Sequence, residues 1–484
     1  MLVVKFGGSI LKGAEGLQLA CGEVEHLPRP LLVVVSAFED VTNRLERVAE
    51  LALRQKSDAE EAAATLFDDH RQIARTMLSE AAYQSWDQEV GEWEDRLRRI
   101  IEGLSIVGEL SPRTLDLVVH FGERLSSSLV GRVIGAPVVS ATDLLITDEN
   151  HRFARVDLEL SRERVQENLQ PLLQIAERGE VEIGTGRINQ GQDIEERGEV
   201  EGLPSVEGRG GDSVGSSQDD GNASGVVVTE GYIARGRGGE ITTMGRESSD
   251  FSAALFGELL GASEVRIYTG VPGIMTADPA VIPEAQTIPQ MSYGMAREIA
   301  SLGAKVIHPR TVRPVERANI RLVFNDLSGA VSVIDGDESG EAFSITALYQ
   351  ASLLTFKVDR TDTTLSPLLD LLLRTTPFIR STRSGRILHV LIPIAEYNPE
   401  SLIRQAKVAD LILEYSTTPV SVVSSVRQQG IGSEDATRFL SAIGEIPIRS
   451  IWSDSTERSI SALVDPVYAS DIVRALHRQF LSGL

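Results

Sequence analysis

The chain begins with an apolar, largely β-branched stretch, Leu2-Val3-Val4-Lys5-Phe6, which Gly7-Gly8-Ser9 breaks off. A second run, Leu31 to Val35, has no polar member, the pattern of a parallel strand buried on both faces. A helix between the two makes a βαβ unit. From about Thr42 to Leu104 the period becomes helical. Leu45, Val48, Ala49, Leu51 and Leu53 recur among Glu and Arg, and a second helical block runs from about Ala59 to Ile101. Trp86 and Trp93, seven positions apart, mark a core-facing stripe on that block.

Further along, Gly225 to Ala234 and Glu240 to Met244 read as a strand pair around the turn Arg235 to Gly239. Ser252 to Leu260 reads as an amphipathic helix and Val265 to Thr269 as another apolar strand. The Gly/Asp/Ser-rich stretch Leu327 to Gly340 reads as a linker. Beyond it, strands at Leu353 to Val358, Ile387 to Ile394, Val420 to Val426 and Ile460 to Val464 alternate with helices at Leu365 to Leu373 and Glu434 to Ile443. That is two rounds of a ββα-rich pattern. Residues 189–225 are rich in Gly, Ser, Asp and Glu, and their burial cannot offset the entropy of ordering them. They read as a disordered surface insertion. The alternative, a phosphate loop at Gly208-Arg209-Gly210-Gly211-Asp212, lacks a following helix, and no GxxxxGK[ST] match occurs in the chain.

With 484 residues the chain is long enough for two to four domains, and 42% hydrophobic with 24% charged residues is a globular composition. No apolar run approaches the roughly 20 residues that cross a bilayer, so a membrane is not expected as partner. The opening strand leaves no place for a signal peptide, and the expected address is the cytoplasm. One cysteine, Cys21, excludes an internal disulfide and a cysteine-rich metal site. Lys and Arg number 47 against 70 Asp and Glu, a net charge of −23 that argues against a nucleic-acid partner. The scarce lysines, Lys5, Lys12, Lys56, Lys305, Lys357 and Lys407, therefore stand out.

Lys5 sits beside the first glycine turn. Such a turn between strand and helix lets backbone N–H groups approach phosphate oxygens, and the helix start adds a favourable dipole. Taken alone, a Gly-Gly turn after a strand is more often only a turn. Its company is more specific. Val35-Ser36-Ala37 with Thr42-Asn43, Gly108 to Arg113, and Phe121-Gly122-Glu123-Arg124-Leu125-Ser126-Ser127 follow in order. Then come Thr229 to Ile233, Thr243-Met244-Gly245-Arg246-Glu247-Ser248-Ser249-Asp250, Tyr268 to Pro279 and Ser301 to Pro309. In identity and order these blocks, spanning residues 1 to about 325, resemble the aspartate kinases.

The resemblance implies an α/β fold: an amino-acid (carbamate) kinase-like three-layer sandwich with a mainly parallel central sheet, followed by two ferredoxin-like ACT modules. The corresponding ranges are 1–335, with 189–225 inserted, then 342–415 and 416–484. It also implies ATP-dependent phosphorylation of the β-carboxylate of L-aspartate to 4-phospho-L-aspartate, the first step toward lysine, threonine and methionine. ATP would carry Mg²⁺, since no fixed ligand cage is visible in the sequence. A homodimer or higher homo-oligomer is expected, with lysine or threonine as feedback effector at the ACT modules. The effector stretch is poorly matched at Ile451 to Ser459, which leaves a dimer scaffold as the other reading.

Residue roles follow from the same resemblance. Lys5 and Lys305 would neutralise phosphate charge, and with Asp250 they are the expected catalytic groups. Gly7, Gly8, Ser9, Thr269, Gly270, Met275 and Val306 would complete the nucleotide site. Arg246 would hold the substrate α-carboxylate, Glu123 and Asp250 its ammonium, and Thr42 and Ser249 would hydrogen-bond it. Ser36 and Tyr232 would line the same pocket. The plain alternatives are a solvated lysine at Lys305 and an ordinary helix-surface residue at Glu123. His308 has no implied role, because a β-carboxylate is already ionised and needs no base. Gly270, Met275, Ala280 and Ser248 depart from the family pattern, three of them on the nucleotide side. They keep two alternatives open: a kinase for another amino acid in a specialised pathway, and a catalytically weakened ACT-containing amino-acid sensor.

Overall fold

A computed structural model describes residues 1–175, 225–245, 248–329, 331–337, 342–349, 351–357, 380–384, 387–393, 411–424, 433–453 and 458–481. Of the expected insertion 189–225 only Gly225 is among them, and the helix expected at Leu365 to Leu373 lies outside them. The chain starts with β1 (Leu2–Phe6), α1 (Gly13–His26) and β2 (Leu31–Val35), the βαβ unit of the apolar pattern. Four helices follow: α2 (Val41–Ala52), α3 (Lys56–Met77), α4 (Glu80–Val107) and α5 (Pro112–Ile134). The start of α5 is fixed locally, since Ser111 Oγ accepts from Thr114 N–H at 3.1 Å and Pro112 takes the first helical position. Trp86 of α4 is fully buried, and Trp93 packs at the edge of the same core.

The chain continues through α6 (Ala141–Leu144), β3 (Ile146–Thr147), α7 (Leu158–Asn168), α8 (Gln170–Ile175), β4 (Val226–Glu230), β5 (Ile233–Gly236) and β6 (Ile241–Thr243). The expected single strand over Gly225 to Ala234 is thus two. Tyr232, at φ 66°, turns the chain between them, so that β4 joins the main sheet and β5 a separate sheet of order β3-β5-β6. After α9 (Ser248–Leu260) and β7 (Glu264–Tyr268) come β8 (Gln290–Ser292), α10 (Tyr293–Ser301), α11 (Pro309–Ala318), β9 (Arg321–Asn325) and β10 (Val331–Asp335). The stretch 327–340, polar enough to read as a linker, holds β10. There Ser332 is buried and donates to the Ile288 carbonyl at 2.7 Å, so a polar residue occupies a core-facing position.

The main sheet has the order β4-β2-β1-β7-β9-β10-β8, parallel except between β9 and β10. Alternate residues of its strands feed two apolar layers, as the two-residue period requires. Leu2, Val4 and Phe6 with Leu31, Val33 and Val35 pack against α1 to α5. Val3, Leu32 and Val34 pack on the other face with α7 and α9 to α11. The N-terminal lobe is therefore α/β, with helices covering both faces of a mainly parallel sheet.

A second, wholly antiparallel sheet follows: β11 (Phe343–Ala347), β12 (Ala351–Lys357), β13 (Arg380–Ser384), β14 (Ile387–Pro393), β15 (Leu411–Ser424), β16 (Ile448–Ser453) and β17 (Ser459–Val464). Helices α12 (Ser433–Ile443) and α13 (Pro466–Leu481) pack on it. The division expected at 415/416 falls inside β15. That strand pairs with β12 through its first half and with β11 and β17 through its second.

Candidate active site

Strands β2 and β7 flank β1, so the order of the sheet reverses there, and in open α/β sheets ligands bind in the crevice beyond such a reversal. Each neighbouring strand contributes the segment after its carboxyl end: Gly7-Gly8-Ser9 after β1, Ser36 to Asn43 after β2, Tyr232 after β4, and Thr269-Gly270-Val271 after β7. Together with Lys5, Glu123, Ser249, Asp250, Lys305, Val306 and His308 they line a cleft of about 640 Å³.

Lys5 is two residues beyond Val3 and so points to the face covered by α9. Only 8% exposed, it requires an anionic partner, and Asp250 Oδ1 lies 2.5 Å from its ammonium. Asp250 occupies the first turn of α9, where the helix dipole favours a carboxylate. The glycines serve close approach. A Cβ on Gly7 would stand 3.0 Å from Lys5 Nζ, and one on Gly8 would meet the Ala37 carbonyl oxygen at 2.9 Å. Ser9 Oγ accepts from Gly270 N–H at 3.0 Å, which ties the β1 and β7 loops together.

Glu123 projects from the middle of α5 into the inner end of the cleft. Its Oε1 accepts from the Ala37 N–H at 3.4 Å, while Oε2 is buried with no hydrogen-bond partner among the described residues. Burial pushes this carboxyl up to about 8. Opposite it, Gly231 allows α9 to approach: a Cβ there would fall 2.6 Å from Ser249 Cβ. Tyr232 is held in its left-handed conformation from three sides. Its N–H donates to Ser252 Oγ at 3.0 Å, its carbonyl accepts from Met244 N–H at 3.0 Å, and its hydroxyl accepts from Arg152 at 3.1 Å.

Thr42 lies in the first turn of α2 and Ser36 at the end of β2, both on the cleft wall. Lys305 stands at the outer rim, its side chain 73% exposed and paired with Asp278 at 2.9 Å. His308 caps α11 by accepting from Arg310 N–H at 3.2 Å. Burial and the nearby Arg310 push His308 down to about 4, so its ring is neutral. Met275 does not line this cleft; it lines a neighbouring cavity that shares Val271, Lys305 and Val306 with it. Arg246 lies outside the described residues. No helix among the described residues is long and apolar enough to cross a membrane.

Two site-supporting residues escaped the sequence reading. Arg152 bridges Tyr232 and Glu46, the latter at 2.5 Å. Asp116, fully buried, accepts from Thr243 Oγ1 at 2.6 Å, Arg152 N–H at 3.1 Å and His151 Nδ1 at 2.9 Å, and so fixes the 151–152 turn against β6. One signal was available: Asp116 stands seven residues before Glu123, two turns earlier on the same face of α5, and both are buried.

Residues 1–199 and 222–326 match the family model described as the amino acid kinase family. Curated relatives are aspartokinases. The chain is 30% identical to the aspartokinase of Chlamydia pneumoniae, with 66% of this chain and 58% of the relative covered. It is 28% identical to the lysine-sensitive aspartokinase 3 of Escherichia coli K12, over 66% and 60%. The bifunctional aspartokinase/homoserine dehydrogenase of Haemophilus influenzae is 25% identical over 100% of this chain and 57% of its own. The chain thus spans less than two thirds of the length of these relatives. Among solved structures, E. coli aspartokinase III in complex with aspartate and ADP superposes with a TM-score of 0.79 at 21% identity, covering 99% of both chains. By its family match and its sheet topology, this chain belongs to the amino acid kinase family.

Proposed function

We propose that the chain transfers the γ-phosphoryl group of ATP to the β-carboxylate of L-aspartate, forming 4-phospho-L-aspartate on the route to lysine, threonine and methionine. The observation that carries this reading is the Lys5–Asp250 pair beside the Gly7-Gly8-Ser9 turn, in one cleft with Glu123, whose buried Oε2 has no hydrogen-bond partner among the described residues. One end of the cleft suits phosphate and the other suits an ammonium. The names of the aspartokinase relatives support the choice of substrate.

In this reading an oxygen of the β-carboxylate attacks the γ-phosphorus, a P–O bond forms, and the bond to the β-phosphate oxygen breaks, with ADP leaving. Phosphoryl transfer depends on alignment and charge stabilisation. Lys5, with Lys305 at the rim, would meet the charge that accumulates on the phosphate oxygens, while the Gly7 and Gly8 backbone admits them closely. Glu123 would accept the substrate ammonium, Arg246 its α-carboxylate, and Thr42 and Ser249 would fix its orientation. Mg²⁺ would come with the nucleotide and offset phosphate charge; among the described residues no group of three His, Cys, Asp or Glu side chains is placed to hold a metal alone.

The C-terminal sheet is the corresponding seat for a feedback amino acid, lysine or threonine, and for homo-oligomer contacts. E. coli aspartokinase III, solved with lysine and aspartate, shares the fold with a TM-score of 0.68. Coupled ADP release by purified protein tests the whole reading. Turnover with L-aspartate supports it, turnover only with another amino acid replaces the substrate, and amino-acid binding without turnover replaces the enzyme by a sensor.

A further inference from the structure

Arg152 and Tyr232 both hold left-handed backbone, at φ 72° and φ 66°, and their side chains touch. Such conformations are unfavourable for residues with a Cβ and persist where surrounding bonds impose them. Tyr232 lines the cleft, whereas Arg152 is not among the described residues that line it. One arm of the Arg152 guanidinium, Nη1, donates to the Tyr232 hydroxyl at 3.1 Å, and the other, Nη2, donates to Glu46 Oε1 at 2.5 Å. The Arg152 and Glu46 side chains are only 18% and 20% exposed, so water and salt screen the pair less than they would at the surface. Glu46 sits one helical turn after Thr42 on the same face of α2. The fork thus spans from the helix that presents Thr42 to the turn that presents Tyr232. The backbone adds a third anchor. The Arg152 N–H donates to Asp116 Oδ2 at 3.1 Å, and Asp116 lies on α5, the helix that presents Glu123.

We propose that Arg152 is a positioning residue for the amino-acid end, fixing the spacing of Thr42, Tyr232 and Glu123 and thereby the length of acidic amino acid that the cleft accepts as phosphoryl acceptor. The inference rests on the kinase reading above and deepens it at the substrate end. An acceptor of this class must meet Glu123 with its ammonium while its distal carboxylate lines up with the phosphoryl group. One extra methylene between those two charges moves the carboxylate out of line, and transfer is sensitive to such misplacement. A cleft can use that difference only if its walls do not yield. Here the walls belong to separate elements, and Arg152 joins them. A planar guanidinium holds two partners at a set separation, whereas an ammonium on a flexible stem is a single point of charge.

Two variants test the proposal. Arg152→Lys keeps the charge and loses the fork, and Tyr232→Phe removes only the hydroxyl that receives it. Each should raise the KM for L-aspartate by roughly fivefold or more, and should narrow the kcat/KM preference for L-aspartate over L-glutamate by about tenfold. The KM for ATP should stay as in wild type, because the phosphate end is untouched. If Arg152→Lys does not fold, Tyr232→Phe decides alone. Folded variants with a lowered melting temperature but an unchanged preference would show a merely structural tie. That result overturns the inference and leaves the kinase reading intact. Wild-type protein that uses L-glutamate as readily as L-aspartate also overturns the inference alone. Wild-type protein that phosphorylates neither overturns the kinase reading, and the inference with it.

Discussion

Lys5 Nζ and Asp250 Oδ1 lie 2.5 Å apart, which couples the second-last residue of a central strand to the first turn of the helix that covers it. Each charge makes the other tolerable in a largely dry position, and both border the cleft. Lys5→Ala should lower kcat by about 10²–10³-fold, the usual cost of removing one group that stabilises transition-state charge. The binding of L-aspartate, followed by calorimetry, should change far less. Full activity in Lys5→Ala would sink the assignment of the phosphate end.

Glu123 gives the site a pH dependence. With its carboxyl held near 8, it is protonated at neutral pH in the empty protein, and an arriving ammonium favours the ionised form. Binding of L-aspartate should therefore release a proton below pH 8, detectable as a binding enthalpy that varies with the ionisation heat of the buffer. The kcat/KM for aspartate should climb with pH up to about 8, and Glu123→Gln should flatten that limb. A buffer-independent enthalpy at pH 7 would refute the assignment.

Stability should have its own optimum. Burial holds the rings of His70, His120 and His308 at about 4, 3 and 4, below the ordinary 6.5. The unfolded chain then binds more protons than the folded one in that window, so these groups contribute stability above pH 6.5 that is lost as pH falls toward 4. Glu123 has the opposite sign. Raised from 4.5 to about 8, it stabilises fully below 4.5 and loses that contribution as pH rises to 8. Between 4.5 and 6.5 the histidines outweigh Glu123, and between 6.5 and 8 Glu123 sets the slope. The melting temperature should peak near pH 6.5, and Glu123→Gln should flatten the decline between pH 6.5 and 8.

Gly231→Ala should separate packing from chemistry. Its Cβ would need to displace Ser249, at 2.6 Å, and with it the first turn of α9. Overpacking of this kind costs about 1–3 kcal/mol. The variant should melt at a lower temperature and show a raised KM for aspartate. A KM equal to wild type would mean that Ser249 plays no part in seating the substrate.

What the sequence disclosed depended on how far apart the partners are. Strand β2 is visible as a wholly apolar run, because a strand buried on both faces needs no polar position, and β1 and β7 are visible as mainly apolar ones. Strand β10 was hidden because Ser332 takes a core position through a hydrogen bond to Ile288, 44 residues away. Lys5, Glu123 and Asp250 were reachable through local blocks of residues. Arg152 and Asp116 were not, since their partners Tyr232 and Thr243 lie 80 and 127 positions along the chain. No local pattern specifies such a pair, and only the folded topology brings them together.

The placement of β1 between β2 and β7 also constrains how the protein is made. One of the two neighbours of the strand bearing Lys5, Glu264–Tyr268, is translated more than two hundred residues after it. At ordinary elongation rates that is a wait on the order of 15–50 s, during which one edge of a very apolar strand has no native partner. Nascent chains stalled or cleaved before that point should lack the phosphate end of the cleft and should be the species that chaperones must hold.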